Sequence, residues 1–175
     1  MQSMDTHQRI IYTGTFSKSL SPAMRVAYMV IPASAQKRFQ DYYHRYNSQV
    51  SPIHQLILAE FMRQGHYTRH INRLRTHYRK KMTLLLEAIS EVFGDSVSVH
   101  GGDAGLHILM DVHSPLSREE LIERAGSAGI RLYSTRSSYY VASSCPEHEL
   151  LLGFPTVPED RFPAIMRKLK DLWDL

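Results

Sequence analysis

A single cysteine, Cys145, leaves the chain unable to close an intrachain disulfide and gives no sign of an oxidising compartment. Nor does any apolar run reach the ~18 residues that a membrane span requires, so no membrane partner is expected. The opening residues, Met1 to Arg9, are polar and lack an apolar h-region, and no secretory signal is expected either. Internal repeats and low-complexity tracts are also missing. Together these absences point to a folded protein of the cytoplasm. What is present agrees: 175 residues, 43% hydrophobic and 22% charged, enough for one ordinary domain or two small lobes sharing a core.

The net charge of +4 raises the question of a nucleic-acid face. Its excess is concentrated in Arg69, Arg73, Arg75, Arg79, Lys80 and Lys81. The same stretch carries Tyr67, Ile71, Leu74, Tyr78, Met82, Leu85 and Ile89, whose steps of three and four are the apolar stripe of a helix packed on a core. The basic residues are what remains for the solvated side, and this reading outweighs a DNA-binding face.

Element signals run along the whole chain. Ile10 to Tyr12 are strand formers, and Arg25 to Ile31 is an apolar run between Pro22 and Pro32, expected as a buried strand of a parallel sheet. Helices are expected over Ala33–Gln49, from Ser51-Pro52 to about Arg63 with Gly65 as its stop, and over Tyr67–Phe93. Beyond Gly94, strands are expected at Val97–Val99, Leu106–Val112, Ile130–Tyr133, Leu150–Phe154 and, as an option, Tyr139–Val141. Ser117 and Glu120 form a capping box that opens a helix, and Pro158 to Asp160 introduce a closing amphipathic one. The predicted division is therefore 1–93 and 94–175, the second part a compact α+β lobe.

The chemistry is concentrated in Gly14-Thr15-Phe16-Ser17-Lys18-Ser19-Leu20-Ser21-Pro22-Ala23-Met24-Arg25. Small hydroxylated residues crowd one lysine in a loop after a strand, and an arginine follows at the mouth of the next strand. An unprotonated lysine attacks an aldehyde, hydroxyls donate to phosphate oxygens, and arginine binds phosphate bidentately as lysine cannot. The loop suits a phosphorylated aldehyde. On the residues alone, a Ser/Lys surface loop with Arg25 capping a strand is an equal alternative. Other candidates are weaker: His66, His70 and His77 share a helical face without a further ligand for a metal. Cys145 has only Glu147 and His148 beside it, which reads as a surface loop, and His107 reads as a satisfied core histidine.

The loop resembles the cofactor-lysine segment of fold-type-I pyridoxal-phosphate (PLP) aminotransferases, and more closely that of the MocR subgroup of GntR-type bacterial transcription regulators. The resemblance extends through Gly65-His66-Tyr67, Arg69-His70-Ile71 and Arg73-Leu74-Arg75, then Ala104-Gly105-Leu106-His107 and Leu150-Leu151-Leu152-Gly153-Phe154, in the order of that family. It implies an α/β fold, this chain being the C-terminal half: the end of the large cofactor domain, a long connecting helix and the small α+β domain. It implies pyridoxal 5'-phosphate as cofactor, Lys18 as its covalent attachment, Arg25 on its phosphate, and Thr15 and Ser17 as phosphate neighbours. It also implies an amino-acid or amine effector or substrate, a homodimer in the parent protein, and DNA contact only through a winged-helix domain outside this sequence.

Two departures accompany the resemblance. The aspartate that pairs with the pyridinium nitrogen and the ring-stacking aromatic of the family fall outside this sequence. The last strand, Leu150 to Phe154, has no arginine for a substrate carboxylate, and neither Arg131 nor Arg136 is assigned to that task. The expected function is thus the effector-sensing module of a GntR/MocR-type regulator. The alternatives are a stand-alone aminotransferase acting on an amino acid and a 2-oxo acid, or a non-catalytic lobe. Weak cofactor binding by the chain alone is expected, as is a segment Met1–Pro32 that is displaced or buried against another copy.

Overall fold

The computed structural model describes residues 4–46, 48–103 and 105–175. The chain falls into two compact units, Met1–Asn72 and Arg73–Leu175.

The first unit opens with a hairpin, β1 (Tyr12–Thr15) against β2 (Ala27–Val30), followed by helices α1 (Ala33–Tyr43) and α2 (Pro52–Arg63). The strands are antiparallel, with Gly14 opposite Tyr28 and Thr15 opposite Ala27. This corrects the expected parallel strand. No crossover helix separates the two strands, only a loop that turns back on itself, and the hairpin direction follows. β2 is exposed along its length rather than buried. Helix α1 ends well before the expected Gln49. Phe39 stacks on Tyr43 at 4.6 Å, and Tyr43 then packs on Tyr46, whose amide closes a turn on the Tyr43 carbonyl. The expected extension through Asn47 lies outside the described residues. Ser51 occupies the N-cap of α2 with Pro52 at its first position, yet its side chain makes no capping bond. Gly65, at φ 72°, stops the helix as its sequence position suggests.

Helix α3 (His66–Phe93) carries the apolar stripe, half-buried at Tyr67, Ile71, Leu74 and Tyr78, and buried at Met82, Leu85 and Ile89. Arg69, Arg73, Arg75, Arg79 and Lys80 are exposed, as the stripe requires. Lys81 departs from that pattern: it is buried and donates to the Pro155 carbonyl at 2.6 Å.

The second unit is a four-stranded antiparallel sheet in the order β3-β4-β6-β5, made of β3 (Val97–His100), β4 (His107–Val112), β5 (Tyr133–Ser134) and β6 (Glu149–Gly153). Alternate residues of β4, Ile108, Met110 and Val112, face the core with Leu150 and Leu152 of β6. Against them pack Leu85, Ile89 and Phe93 of α3, Leu121 and Ala125 of α4 (Arg118–Ser127), and Phe162, Met166, Leu169 and Trp173 of α5 (Phe162–Trp173). The buried Trp173 indole donates to the Leu121 carbonyl at 3.0 Å, and the half-buried Lys170 donates to the Val92 carbonyl at the end of α3.

The capping box forms as the sequence indicates, with Ser117 N–H on the Glu120 carboxylate at 2.8 Å and Glu120 N–H on the Ser117 hydroxyl. The expected strand at Ile130 begins later. Ile130 N–H is spent on the Ala125 carbonyl past Gly129 (φ 77°), a helix-stop bond that postpones sheet pairing to Tyr133. Tyr139–Val141 is not a strand; it lies between two short 3-10 turns, Arg136–Ser138 and Ala142–Ser144. Among the described residues, no helix is long and apolar enough to cross a membrane.

Candidate functional site

The loop between β1 and β2 carries Lys18. It leaves β1 at Thr15, turns through Ser17 to Leu20, makes a 3-10 turn at Pro22–Met24 and enters β2 through Arg25 and Val26. Local bonds close it. Phe16 N–H reaches the Val26 carbonyl at 3.0 Å, and the amides of Leu20 and Ser21 both return to the Phe16 carbonyl. Ser21 caps the 3-10 turn by accepting from the Ala23 amide at 3.2 Å, with Pro22 at the first position where no N–H is needed. Phe16 and Val26 are buried with Leu58 of α2, and Leu20, Met24, Val50 and Tyr67 pack around them. So the apolar residues of the loop anchor it, its serines are half-buried, and Lys18 and Arg25 are left at the surface.

Of the four sequence-derived candidates, Thr15 ends β1 and Ser17, Lys18 and Arg25 follow on this loop, in different situations. Thr15 donates its hydroxyl hydrogen to the Val26 carbonyl at 3.3 Å and accepts from the Ser17 amide at 3.1 Å. Its hydrogen is therefore engaged within the loop. Ser17 is half-buried, and Lys18 and Arg25 are exposed. Neither cation has an ion pair or side-chain hydrogen bond among the described residues, in a chain where several surface cations do. Arg25 stands at φ 48°, ψ 31°, a left-handed conformation that costs a non-glycine residue roughly 1–2 kcal/mol. The closed loop around it, from the Ser21 cap to the Phe16–Val26 bond, holds it there.

Two features of this site were not read from the sequence. The first is an aromatic bed. Tyr28 lies 5.3 Å from Phe16 and 6.0 Å from Tyr12, and its ring covers Gly14, where a Cβ would come within 2.5 Å of it. Cross-strand pairing of Gly14 with Tyr28 sets this contact, and it appears only once the register is known. The Tyr28 hydroxyl is held above its ordinary value of 10.0, first by a hydrogen bond with Tyr12 and then by burial. The second is Tyr67 of α3, whose hydroxyl donates to the Ser19 hydroxyl at 3.2 Å across a sequence separation of 48.

The remaining candidates resolve as follows. His66 stacks on Phe61 and bonds Gln64, and no cluster of metal-binding side chains occurs among the described residues. His107 is exposed at the start of β4 against Gly153, not a core histidine. Its neighbour in the family-like motif, Ala104, lies outside the described residues. Cys145 is half-buried rather than on an open loop: the guanidinium of the buried Arg118 meets its sulfur at 3.3 Å, with the Thr135 hydroxyl at 3.4 Å. Arg118 is distant in sequence, so nothing near Cys145 announced it.

Comparison with known proteins places this loop in context. The family model of aminotransferase class I and II matches residues 1–145. The HTH-type transcriptional regulator YdeL of Bacillus subtilis is 40% identical, covering 100% of this chain and 37% of that protein. The probable rhizopine catabolism regulatory protein MocR of Rhizobium meliloti is 25% identical, covering 96% of this chain and 33% of its own. The chain thus spans about a third of the length of these regulators. Among solved structures, the kynurenine aminotransferase of Pyrococcus horikoshii, solved in complex with PMP, superposes with a TM-score of 0.84 at 22% identity, covering 99% of this chain and 42% of that one. That likeness shows the fold. With a family model running over most of its length, the chain belongs to the aminotransferase class I and II family.

Proposed function

We propose that this chain is the lysine-bearing part of a PLP-dependent aminotransferase-like module that senses an amino acid or amine in a GntR/MocR-type transcription regulator. The observation that carries the reading is that Lys18 and Arg25, two cations without an ion pair or side-chain hydrogen bond among the described residues, stand on one loop closed by its own backbone. The donor set fits the group. An aldehyde needs an amine, which the exposed Lys18 offers from the turn at residues 17–20. A dianionic phosphate needs a cation and hydroxyl donors, and among the described residues Arg25 and Ser17 have theirs uncommitted. Thr15 contributes by holding Ser17 and Val26 in place, since its own hydrogen is engaged. When bound, pyridoxal phosphate supplies an electron sink for an amino compound.

In this reading residues 1–93 are the tail of the cofactor domain with its connecting helices, and 94–175 the small C-terminal domain. The parent works in the cytoplasm as a homodimer, and DNA contact belongs to a helix-turn-helix part beyond this chain. The similarity to regulators such as YdeL supports this reading. A stand-alone aminotransferase is the second reading, which the match to the aminotransferase class I and II family model supports.

Reductive trapping tests the assignment. The protein is incubated with pyridoxal phosphate, reduced with borohydride, digested and mapped. The pyridoxyl group is expected on the peptide containing Lys18 and absent from it in Lys18→Ala. Arg25→Ala is expected to raise the concentration needed by about 10-fold or more, the worth of a charge-assisted bond. Label spread evenly over Lys37, Lys80, Lys168 and Lys170 with no preference for Lys18 would overturn the proposal.

A further inference from the structure

We propose that Tyr67 is a positioning residue for Lys18, a latch from helix α3 that fixes the turn on which the lysine stands. The inference rests on the cofactor-attachment role proposed for Lys18. Tyr67 grips the loop at two points that bracket that residue. On one side its ring meets the ring of Phe16 edge-on, at 5.8 Å and 74°. On the other its hydroxyl donates to the Ser19 hydroxyl at 3.2 Å. The other loop bonds described above are internal to the loop, so they set its shape but not its place. Tyr67 sits in the first turn of a 28-residue helix, and a regular element fixes a side chain more narrowly than a loop does. Packing on Phe16 requires only a ring, which phenylalanine supplies equally well. The hydroxyl of Tyr67 has its use in the bond to Ser19.

The consequence is a division of labour. The Phe16 contact is apolar and keeps the loop against Leu58 and Val26, whereas the Ser19 bond is directional and selects one course for the backbone at residues 17–20. Without the bond, Lys18 samples a wider range of positions relative to Arg25. Capture of a ligand that must reach both groups at once is then slower.

Tyr67→Phe, Ser19→Ala and their combination separate this role from packing. Hydrogen exchange needs no cofactor. The amides of Leu20 and Ser21, which bond to the Phe16 carbonyl, are expected to exchange about fivefold faster in each single variant. The double variant should be no faster than the singles, because both remove one bond. Ser19→Thr, which keeps the hydroxyl, is expected to restore protection. In the trapping assay the label at Lys18 relative to Lys37 should fall in Tyr67→Phe and in Ser19→Ala, and be retained in Ser19→Thr. Unchanged exchange and labelling in Tyr67→Phe would overturn the latch. Additive effects in the double variant would do so as well, because they would mean the two hydroxyls act separately. Absence of Lys18 labelling in the unaltered protein would instead refute the cofactor assignment, while exchange would still report on the latch itself.

Discussion

Thr15 uses its hydroxyl twice, once as donor to the Val26 carbonyl and once as acceptor from the Ser17 amide. Thr15→Val keeps the β-branched shape and removes both bonds. It is expected to lower stability by about 1 kcal/mol in chemical denaturation and to speed exchange of the Ser17 amide. No change in either would show that the hydroxyl holds nothing. Gly14 has a different constraint. A Cβ there meets the outer end of the Tyr28 ring, which is 41% exposed and free to swing aside. Gly14→Ala should therefore leave the hairpin folded but take the Tyr28 hydroxyl away from Tyr12. Because that bond holds the phenol in its neutral form, its loss should bring the titration of Tyr28 back down toward 10.0. A spectrophotometric titration of Gly14→Ala and Tyr28→Phe beside the unaltered chain follows that one group. A Tyr28 midpoint that stays high in Gly14→Ala would refute the account.

Among the elements, α4 offers the clearest test. Ser117→Ala removes a capping bond and should cost about 1 kcal/mol, read from the thermal or denaturant midpoint. Glu120 is held below its ordinary value of 4.5 by the Ser117 hydroxyl first and the Ser117 amide second. A depressed carboxylate stabilises the fold fully above 4.5 and ceases to do so as pH falls through its lower folded value. The gap in stability between the unaltered chain and Ser117→Ala should therefore narrow on acidification below that point, and a constant gap would count against the box. This helix was legible because both partners lie within four residues. So were α3, from its apolar stripe, and the placement of Lys18 between two strands, from the turn residues before it and Pro22 after it. The direction and exposure of β2 were not, because an apolar run such as Ala27–Val30 carries no information about which neighbour it pairs with. Nor was Tyr67 or Arg118 in its role, since the first meets Ser19 and the second Cys145 only after the chain has folded. Ile130 misled for a third reason: its β-branched side chain favours a strand, but its amide is claimed by the end of α4.

At the scale of the molecule, the two compact units have very different interiors. The core of the first consists of Phe16, Val26 and Leu58, while Tyr42, Tyr46, Ile53, Leu56 and Ile57 stand exposed. That of the second runs from Met82 to Trp173 and includes side chains closed to solvent on α3, β4, α4, β6 and α5. Native-state exchange is therefore expected to be uneven. Amides of β4, β6 and α5 should open only with the whole second unit, and those of β1 and β2 roughly a hundredfold or more faster. Equal protection in both would show that the first unit gains stability from something its own contacts do not supply. The second unit also contains its own timer. Lys81 is 5% exposed with its amine on the Pro155 carbonyl, whereas Lys18, Lys37, Lys80 and Lys168 face water. An acylating reagent mapped by mass spectrometry will consume those four at once and reach Lys81 only when α3 and the segment after β6 part, so the rate of that one modification clocks the opening of the core without any introduced probe.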